Sequence, residues 1–134
     1  MPFSTKRRVQ FRDTDAGGIM HFASYFGWME EAEHEALRSV GLSAMDDNHG
    51  IGWPRVSAQC DYRGPIYFED VVTIEVAIER IGGKSVTYKI TMHQDDREVA
   101  IGKMTAVCCD LAEDGKIKSV EIPAAVREQL EKLS

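Results

Sequence analysis

The sequence HFASYFGWMEEAEHEALRSVG, residues 21–41, decides the fold because its spacing is that of one long helix. Apolar residues recur every three or four positions, which places them on one face of a helix predicted from about Phe22 to Val40. That face consists of Phe22, Tyr25, Phe26, Met29, Ala32, Ala36, Leu37 and Val40. Glu33 falls among the polar remainder. Gly41 follows where a glycine commonly caps the last turn.

Downstream of this helix, apolar and polar residues alternate as they do in β-strands with one buried face. The clearest stretches are RVSAQCDYR (55–63), VTIEVAIE (72–79) and SVTYKITMH (85–93). Weaker patterns predict a long strand in EVAIGKMTAVCCDL (98–111) and a short first strand in RRVQFR (7–12). Gly82-Gly83 and Asp95-Asp96 lie where hairpin turns are expected. A second, short helix is predicted from Pro123 to Lys132.

These elements predict an α+β fold in which an antiparallel β-sheet wraps around one long central α-helix. The chain has 134 residues, and no linker or change of composition divides it, so a single domain over 1–134 is expected. Edge strands of such a sheet would favour pairing with a second copy of the chain.

The composition excludes several classes of function. The formal net charge of −6 argues against a nucleic-acid partner, because attraction to phosphate needs a basic surface. No apolar run approaches the roughly 20 residues of a membrane-spanning helix. The three cysteines show no C-x-x-C spacing, which favours reduced thiols over a disulfide framework or a zinc site. A cytoplasmic location is therefore expected.

The segment DTDAGG, residues 13–18, lies shortly before the predicted helix. Asp and Gly are common turn residues, so a solvated turn is one interpretation. A carboxylate close to a helix start can instead face free N–H groups, which favour negative charge. A nucleophile or base beside an oxyanion site is the pair that acyl transfer needs. A calcium loop is excluded, because Ser24 stands where its bidentate glutamate is required.

The stretch VQFRDTDAGGIMHFASYFGWMEEAEHEALRSVGL, residues 9–42, resembles the signature of the 4-hydroxybenzoyl-CoA thioesterase-like family of hotdog-fold acyl-CoA thioesterases. The D-x-D-x-x-G motif, the aromatic helix start and YF-x-W-x-E occur in register, and a looser resemblance continues to about Leu111. It implies a hotdog fold, hydrolysis of an acyl-CoA thioester without metal or cofactor, and assembly as a homodimer or homotetramer.

Carried over residue by residue, the resemblance assigns the catalytic carboxylate to Asp15. This group would attack the thioester carbonyl or activate water, and the sequence does not choose between these roles. The oxyanion donor would be the backbone N–H of Phe22, which any residue except proline supplies. Asp13 would hold the loop by hydrogen bonds. Tyr25 matches a position near the substrate pocket that is frequently aromatic.

Two positions depart from the family pattern. Some relatives carry a histidine at the position of Phe22, whereas here His21 lies one place earlier; it is expected as an auxiliary substrate-binding group or as an ordinary loop histidine. Some members bind the CoA phosphates with a basic cluster at the hairpin RIGGKS, residues 80–85. Only Lys84 matches a basic position there, so Lys84 or another cation such as Arg63 is expected to bind the phosphates.

Three further functions stay open at this point. A hotdog acyl-thioester dehydratase or hydratase would share the fold, but it would need a catalytic histidine, for which His21 is the candidate near the loop. A non-catalytic acyl-CoA-binding or sensor protein is the second, and an interaction protein that uses the dimer surface is the third. The sequence does not predict whether the acyl group is short, long or aromatic.

Overall fold

The computed structural model describes residues 1–111 and 116–134. The helices within these ranges are α1 (Ser24–Ser39) and α2 (Ala124–Glu131). The strands are β1 (Phe3–Arg8), β2 (Met45–Asp46), β3 (Ile51–Gly52), β4 (Arg55–Tyr62), β5 (Val71–Ile81), β6 (Ser85–Gln94), β7 (Arg97–Val107), β8 (Cys109–Asp110) and β9 (Lys118–Ser119). A 3-10 turn, Phe11–Asp13, follows β1. The helix boundaries lie within two residues of those predicted.

The main sheet is antiparallel and has the strand order β1-β5-β6-β7-β4. Hairpin turns at the predicted glycine and aspartate pairs join β5 to β6 and β6 to β7. Asp95 adopts φ 55° in the second turn, a left-handed conformation that Asp tolerates. The two-residue strands form a separate small sheet with the order β2-β3-β8-β9. One long antiparallel sheet and one main helix give the α+β hotdog fold predicted from the sequence.

The core lies between α1 and the main sheet. The residues of β5 and β6 that were predicted to be buried are all buried: Val72, Ile74, Val76, Ile78, Val86, Tyr88, Ile90 and Met92. The helix contributes Tyr25, Trp28, Met29, Ala32, Ala36 and Leu37 to the same cluster. Burial of each large apolar side chain contributes roughly 1.5–3 kcal/mol. The layers are in close contact, since a Cβ added at Gly102 of β7 would lie 2.0 Å from Met29 Sδ.

The methionines divide into two groups. Met20, Met29, Met92 and Met104 are at most 2% exposed and belong to the core, whereas Met1 and Met45 are 87% and 67% exposed. An unbranched thioether fills irregular gaps, which suits the space between a helix and a twisted sheet.

The predicted burial of β4 is wrong for the single chain. Val56, Ala58 and Tyr62 are exposed and Cys60 is half-buried, although alternation predicted one buried face. β4 is an edge strand, and only a few of its residues lie near α1, so the helix leaves most of its apolar side chains uncovered.

Two helix residues also differ from the prediction. Phe22 lies before the first turn of α1 and is 63% exposed, so it does not join the apolar face. Glu33 is 3% exposed although its place in the pattern is polar, because Arg55 pairs with both of its oxygens at 2.8 and 3.1 Å.

The first strand starts earlier than predicted. β1 ends at Arg8 because the chain turns into the 3-10 helix, where the Asp13 carboxylate accepts the Gln10 N–H at 2.8 Å. Arg8 is the last residue of β1 to pair with β5.

Candidate active site

The segment DTDAGG forms a tight turn. The Asp15 N–H donates to the carbonyl of Ile19 at 2.9 Å, and the Gly18 N–H donates to the carbonyl of Asp15 at 3.0 Å. Gly18 has φ 84°, a conformation that glycine adopts without steric cost. Within the turn, Asp15 Oδ1 accepts the N–H of Gly17 at 2.8 Å. The turn thus fixes the backbone around Asp15 and orients its carboxylate.

The chain from His21 to Ser24 leads from this turn into α1. The His21 N–H and the Ser24 hydroxyl both donate to the carbonyl of Asp13, at 2.8 and 3.2 Å. The Ala23 N–H donates to the His21 ring at 3.2 Å. Ala23, at the N-cap position, offers no side-chain cap. Local hydrogen bonds, rather than a capping side chain, therefore hold the helix start in place.

The backbone N–H of Phe22 differs from its neighbours. In residues 1–111 and 116–134 the structure gives it no hydrogen-bond acceptor. Free N–H groups at a helix start carry partial positive charge and attract anions. The Phe22 N–H is thus available to a negatively charged or polarised oxygen.

Asp15 and Phe22 line the same cleft, which has a volume of about 380 Å³. Its lining consists of Asp15, Ile19, Met20, Phe22, Tyr25, Tyr62, Arg63, Gly64 and Pro65. Tyr62 is the last residue of β4, and Arg63, Gly64 and Pro65 follow it directly. The N–H groups of Arg63 and Gly64 donate to the carbonyl of Val99, near the start of β7. The cleft therefore lies between the start of α1 and one end of the main sheet.

Two tyrosines form an aromatic wall of the cleft. The rings of Tyr25 and Tyr62 meet edge to face, with centroids 4.8 Å apart. Burial raises the pKa of Tyr25 to about 12, with further contributions from Cys60 and Tyr62. Burial likewise raises the pKa of Tyr62, and that of the neighbouring Cys60 to about 11. At neutral pH all three groups are protonated, so they can donate hydrogen bonds but do not act as bases.

The Tyr62 hydroxyl donates to the carbonyl of Phe22 at 2.8 Å. Sequence reasoning assigned Tyr62 only to a strand face and missed it as a site residue. The only local signal was its place at a strand end before Gly64-Pro65. Arg63, predicted as a cation for the CoA phosphates in place of Lys84, is the cation among the lining residues.

The structure does not bring the other predicted residues into this cleft. The half-buried His21 ring lies against the Phe22 ring, with ring centroids 4.7 Å apart, but His21 is not among the residues that line the cleft. Lys84 is exposed in the β5–β6 hairpin, and its carbonyl accepts the N–H of Cys108. This hairpin lies beside the Arg55 end of β4, whereas the cleft adjoins the Tyr62 end. Within one chain, Lys84 is thus at the far end of the sheet from Asp15.

A larger groove of about 610 Å³ lies on the other flank of the helix start. Lys6, Arg8 and Arg12 contribute cations to its wall, and Arg7 within it is paired with Glu31 at 3.1 Å and with Glu35. Asp15 and Phe22 are not among its lining residues. The smaller cleft is the candidate active site because it combines a carboxylate with an unpaired N–H.

Two further observations concern the described ranges. No helix there has the length and apolar character needed to cross a membrane. Nor do those residues include a group of three or more His, Cys, Asp or Glu side chains that could hold a metal ion.

Comparison with known proteins identifies relatives along the whole chain. The 1,4-dihydroxy-2-naphthoyl-CoA hydrolase of Nostoc punctiforme is 31% identical, with 98% of this chain and 88% of the relative covered. The structure of the gentisyl-coenzyme A thioesterase BH1999 is 31% identical, with a TM-score of 0.83 and coverage of 96% of this chain and 99% of that one. A hypothetical protein from Aquifex aeolicus, known from a crystal structure, is 32% identical, with a TM-score of 0.87 and coverage of 96% of this chain and 98% of that one.

A family model for the thioesterase-like superfamily matches residues 9–130, which include the cleft and every strand of the main sheet except β1. The match and the relatives agree with the resemblance that the segment 9–42 carries. The chain therefore belongs to the thioesterase-like superfamily of hotdog-fold proteins.

Proposed function

We propose that this protein hydrolyses an acyl-CoA thioester to a free acid and CoA in the Asp15 cleft. The observation that carries the proposal is the presence of the Asp15 carboxylate and the unpaired Phe22 N–H in one cleft. The names of the relatives support the substrate class, since two of them are a CoA hydrolase and a CoA thioesterase.

In the proposed reaction the thioester carbonyl oxygen accepts a hydrogen bond from the Phe22 N–H. Negative charge grows on this oxygen as the carbonyl carbon becomes tetrahedral. One oxyanion donor typically lowers the barrier by about 2.7–4 kcal/mol. Because the donor belongs to the backbone, the Phe22 side chain has no part in this step.

Asp15 supplies the attack in one of two ways. As a nucleophile, its carboxylate forms a mixed anhydride with the acyl group, and water then hydrolyses that anhydride. As a general base, it takes a proton from water while the water oxygen bonds to the acyl carbon. In both routes the carbon–sulfur bond breaks and CoA leaves as the thiolate. Water is the second substrate, and no other reactant is needed.

Tyr25 lines the acyl side of the cleft in this proposal. Arg63, in the same lining, is a cation available to the CoA phosphates. Roles for His21 and Lys84 in substrate binding stay predictions, as does a cytoplasmic location.

We also propose a homodimer or homotetramer. Support comes from β4, an edge strand of the main sheet with an exposed backbone edge and exposed apolar side chains such as Val56, 62% exposed. Such edges are commonly covered by another chain.

The test is release of thiol from a panel of short, long and aromatic acyl-CoAs by wild type and by Asp15→Asn. We expect Asp15→Asn to lose at least about 100-fold in turnover while it stays folded, because the variant keeps the shape and removes the charge. Asp96→Asn is the matched control, since Asp96 is an exposed turn carboxylate outside the cleft. Normal turnover by folded Asp15→Asn would contradict the mechanism. Binding of CoA esters by wild type without cleavage would favour a sensor.

A further inference from the structure

We propose that Tyr62 is a positioning residue, which anchors the Phe22 carbonyl to the sheet and so holds the residue, including the N–H on its other side, in place at the cleft. This inference rests on the proposed function and deepens it. The contact that carries it is the 2.8 Å hydrogen bond from the Tyr62 hydroxyl to the Phe22 carbonyl. Its partners are 40 residues apart in sequence, so the contact ties the helix start to the sheet.

Phe22 needs such a restraint because it lies outside regular structure. Helix α1 begins at Ser24, and the Phe22 side chain is 63% exposed, so packing holds it weakly. The hydrogen bonds to the Asp13 carbonyl fix the residues on either side of it, His21 and Ser24. The peptide group that carries the Phe22 N–H is held at its carbonyl, because the His21 carbonyl accepts the Ser24 N–H at 2.9 Å. The next peptide group, from Phe22 to Ala23, is held at its N–H by the His21 ring at 3.2 Å. These hydrogen bonds are all local to residues 13–24, whereas the Tyr62 hydroxyl ties the Phe22 carbonyl to the main sheet.

Tyr62 is itself well anchored. Its backbone pairs with Ala100 of β7, and its ring packs edge to face on Tyr25, which is 3% exposed and part of the core. Burial raises the pKa of Tyr62 still further above neutral, so its hydroxyl is protonated and can donate. A rigid chain of contacts therefore runs from the sheet through Tyr62 to Phe22.

Positioning matters for this step because an oxyanion donor must lie about 2.7–3.1 Å from the developing charge. A displacement of about 1 Å at a reacting group can reduce the rate by roughly 100-fold. Loss of the Tyr62 hydrogen bond would release the Phe22 carbonyl from the sheet and let the residue shift together with its N–H, with little effect on groups that only bind the substrate. The expected signature is a lower kcat with an unchanged KM.

The experiment compares Tyr62→Phe with Tyr67→Phe. Tyr62→Phe keeps the ring against Tyr25 and removes only the hydroxyl. Tyr67 is the matched control, because it is 52% exposed and its hydroxyl has no acceptor or donor within the described residues. We expect Tyr62→Phe to lower kcat by about 10- to 100-fold, with KM within twofold and a Tm lowered by no more than a few degrees. Tyr67→Phe should match wild type.

The Phe22 amide signal gives a second readout in protein labelled with [15N]phenylalanine, which has five phenylalanine amides in wild type and one more in each variant. It should shift in Tyr62→Phe and not in Tyr67→Phe. An unchanged kcat would overturn the inference, as would a raised KM with an unchanged kcat, which would mean direct contact with substrate. If wild type hydrolyses no thioester, the proposed function fails by itself, and an unshifted Phe22 amide would then overturn the positioning role as well.

Discussion

The two ends of the main sheet differ in how their polar groups are paired. At the end near the β5–β6 hairpin, Glu33 and Arg55 form a bidentate pair, and Arg127 donates to the carbonyls of Gly82 and Gly83 at 2.8 and 3.3 Å. At the other end the cleft keeps an unpaired N–H and exposed aromatic side chains. The first arrangement is typical of groups that stabilise a fold, and the second of groups that meet a ligand.

We infer from this difference that the hairpin end of the sheet contributes mainly to stability and the cleft end mainly to catalysis. An N–H left open costs some free energy of folding, and a site tolerates that cost when a substrate supplies the missing partner. Substitutions at the hairpin end should therefore act on the free energy of unfolding, and substitutions at the cleft should act on turnover.

The largest effect is expected from Glu33→Ala at the hairpin end. The variant leaves Arg55 without its bidentate partner, and breaking a buried pair costs about 3–5 kcal/mol. Glu30 lies 3.8 Å from Arg55 and remains as a second carboxylate, so we expect the lower end of this range. Urea unfolding measures the loss, and kcat of the folded variant should stay close to that of wild type.

The matched control replaces both partners, Glu33→Met with Arg55→Met. Apolar side chains of similar length leave no buried unpaired charge, and Glu30 is exposed, so this double variant should lose less than Glu33→Ala. If Glu33→Ala lowers the free energy of unfolding by less than about 1 kcal/mol, the pair behaves as an exposed ion pair. That result would contradict the contrast drawn between the two ends of the sheet.

An intermediate effect is expected from Gly17→Ala at the cleft. An added Cβ would lie 3.1 Å from Asp15 Oδ1, which is tighter than ordinary contact and forces the carboxylate to shift. We expect kcat to fall by about tenfold, because small displacements of reacting groups are costly, with little change in unfolding free energy. Steady-state kinetics and urea unfolding check the two parts.

Gly27→Ala is the control for that variant. An added methyl there meets nothing within 4 Å, and alanine favours a helix over glycine by up to about 1 kcal/mol. Gly27→Ala should thus keep full turnover and gain stability. A Gly17→Ala protein with normal kcat would show that the Asp15 carboxylate moves freely without harm to the reaction.

The smallest effect is expected from Lys84→Ala. An exposed charge contributes about 0.2–1 kcal/mol, so KM for an acyl-CoA should rise by no more than about fivefold. KM for an acyl-pantetheine thioester, which lacks the nucleotide phosphates, should not change. Since Lys84 lies at the far end of its own sheet, a rise in KM would indicate that a second copy brings its hairpin to the cleft.

Lys118→Ala, an exposed lysine of the small sheet, serves as the control for general charge effects. An unchanged KM in Lys84→Ala would remove the hairpin from substrate binding. The cations nearer the cleft, above all Arg63, would then be the groups to test.

The fold was predictable because its elements are long and periodic. The helix face and the strands β5 and β6 follow from spacing alone, since these elements bury their apolar faces in one common core. The burial of Glu33 and the exposure of β4 were not predictable in this way. The first depends on a partner 22 residues away, Arg55, and the second on a place at the edge of the sheet.

The site was predictable to the extent that it is local. Asp15 and Phe22 are seven residues apart, and the turn between them carries the family motif. Tyr62 comes from a different strand, and no pattern within its own stretch distinguishes it from any other strand tyrosine. Its contact with Phe22 appears only when the chain is folded.

The distribution of the methionines gives the protein a set of built-in spectroscopic probes. Labelled methyl groups at Met29, Met92 and Met104 would report on the core, and that of Met20 on the cleft that it lines. The exposed Met45, near Trp53 in another pocket, and Met1 would serve as references. A titration with a CoA ester that shifts the Met20 methyl alone would locate the ligand without any substitution in the chain.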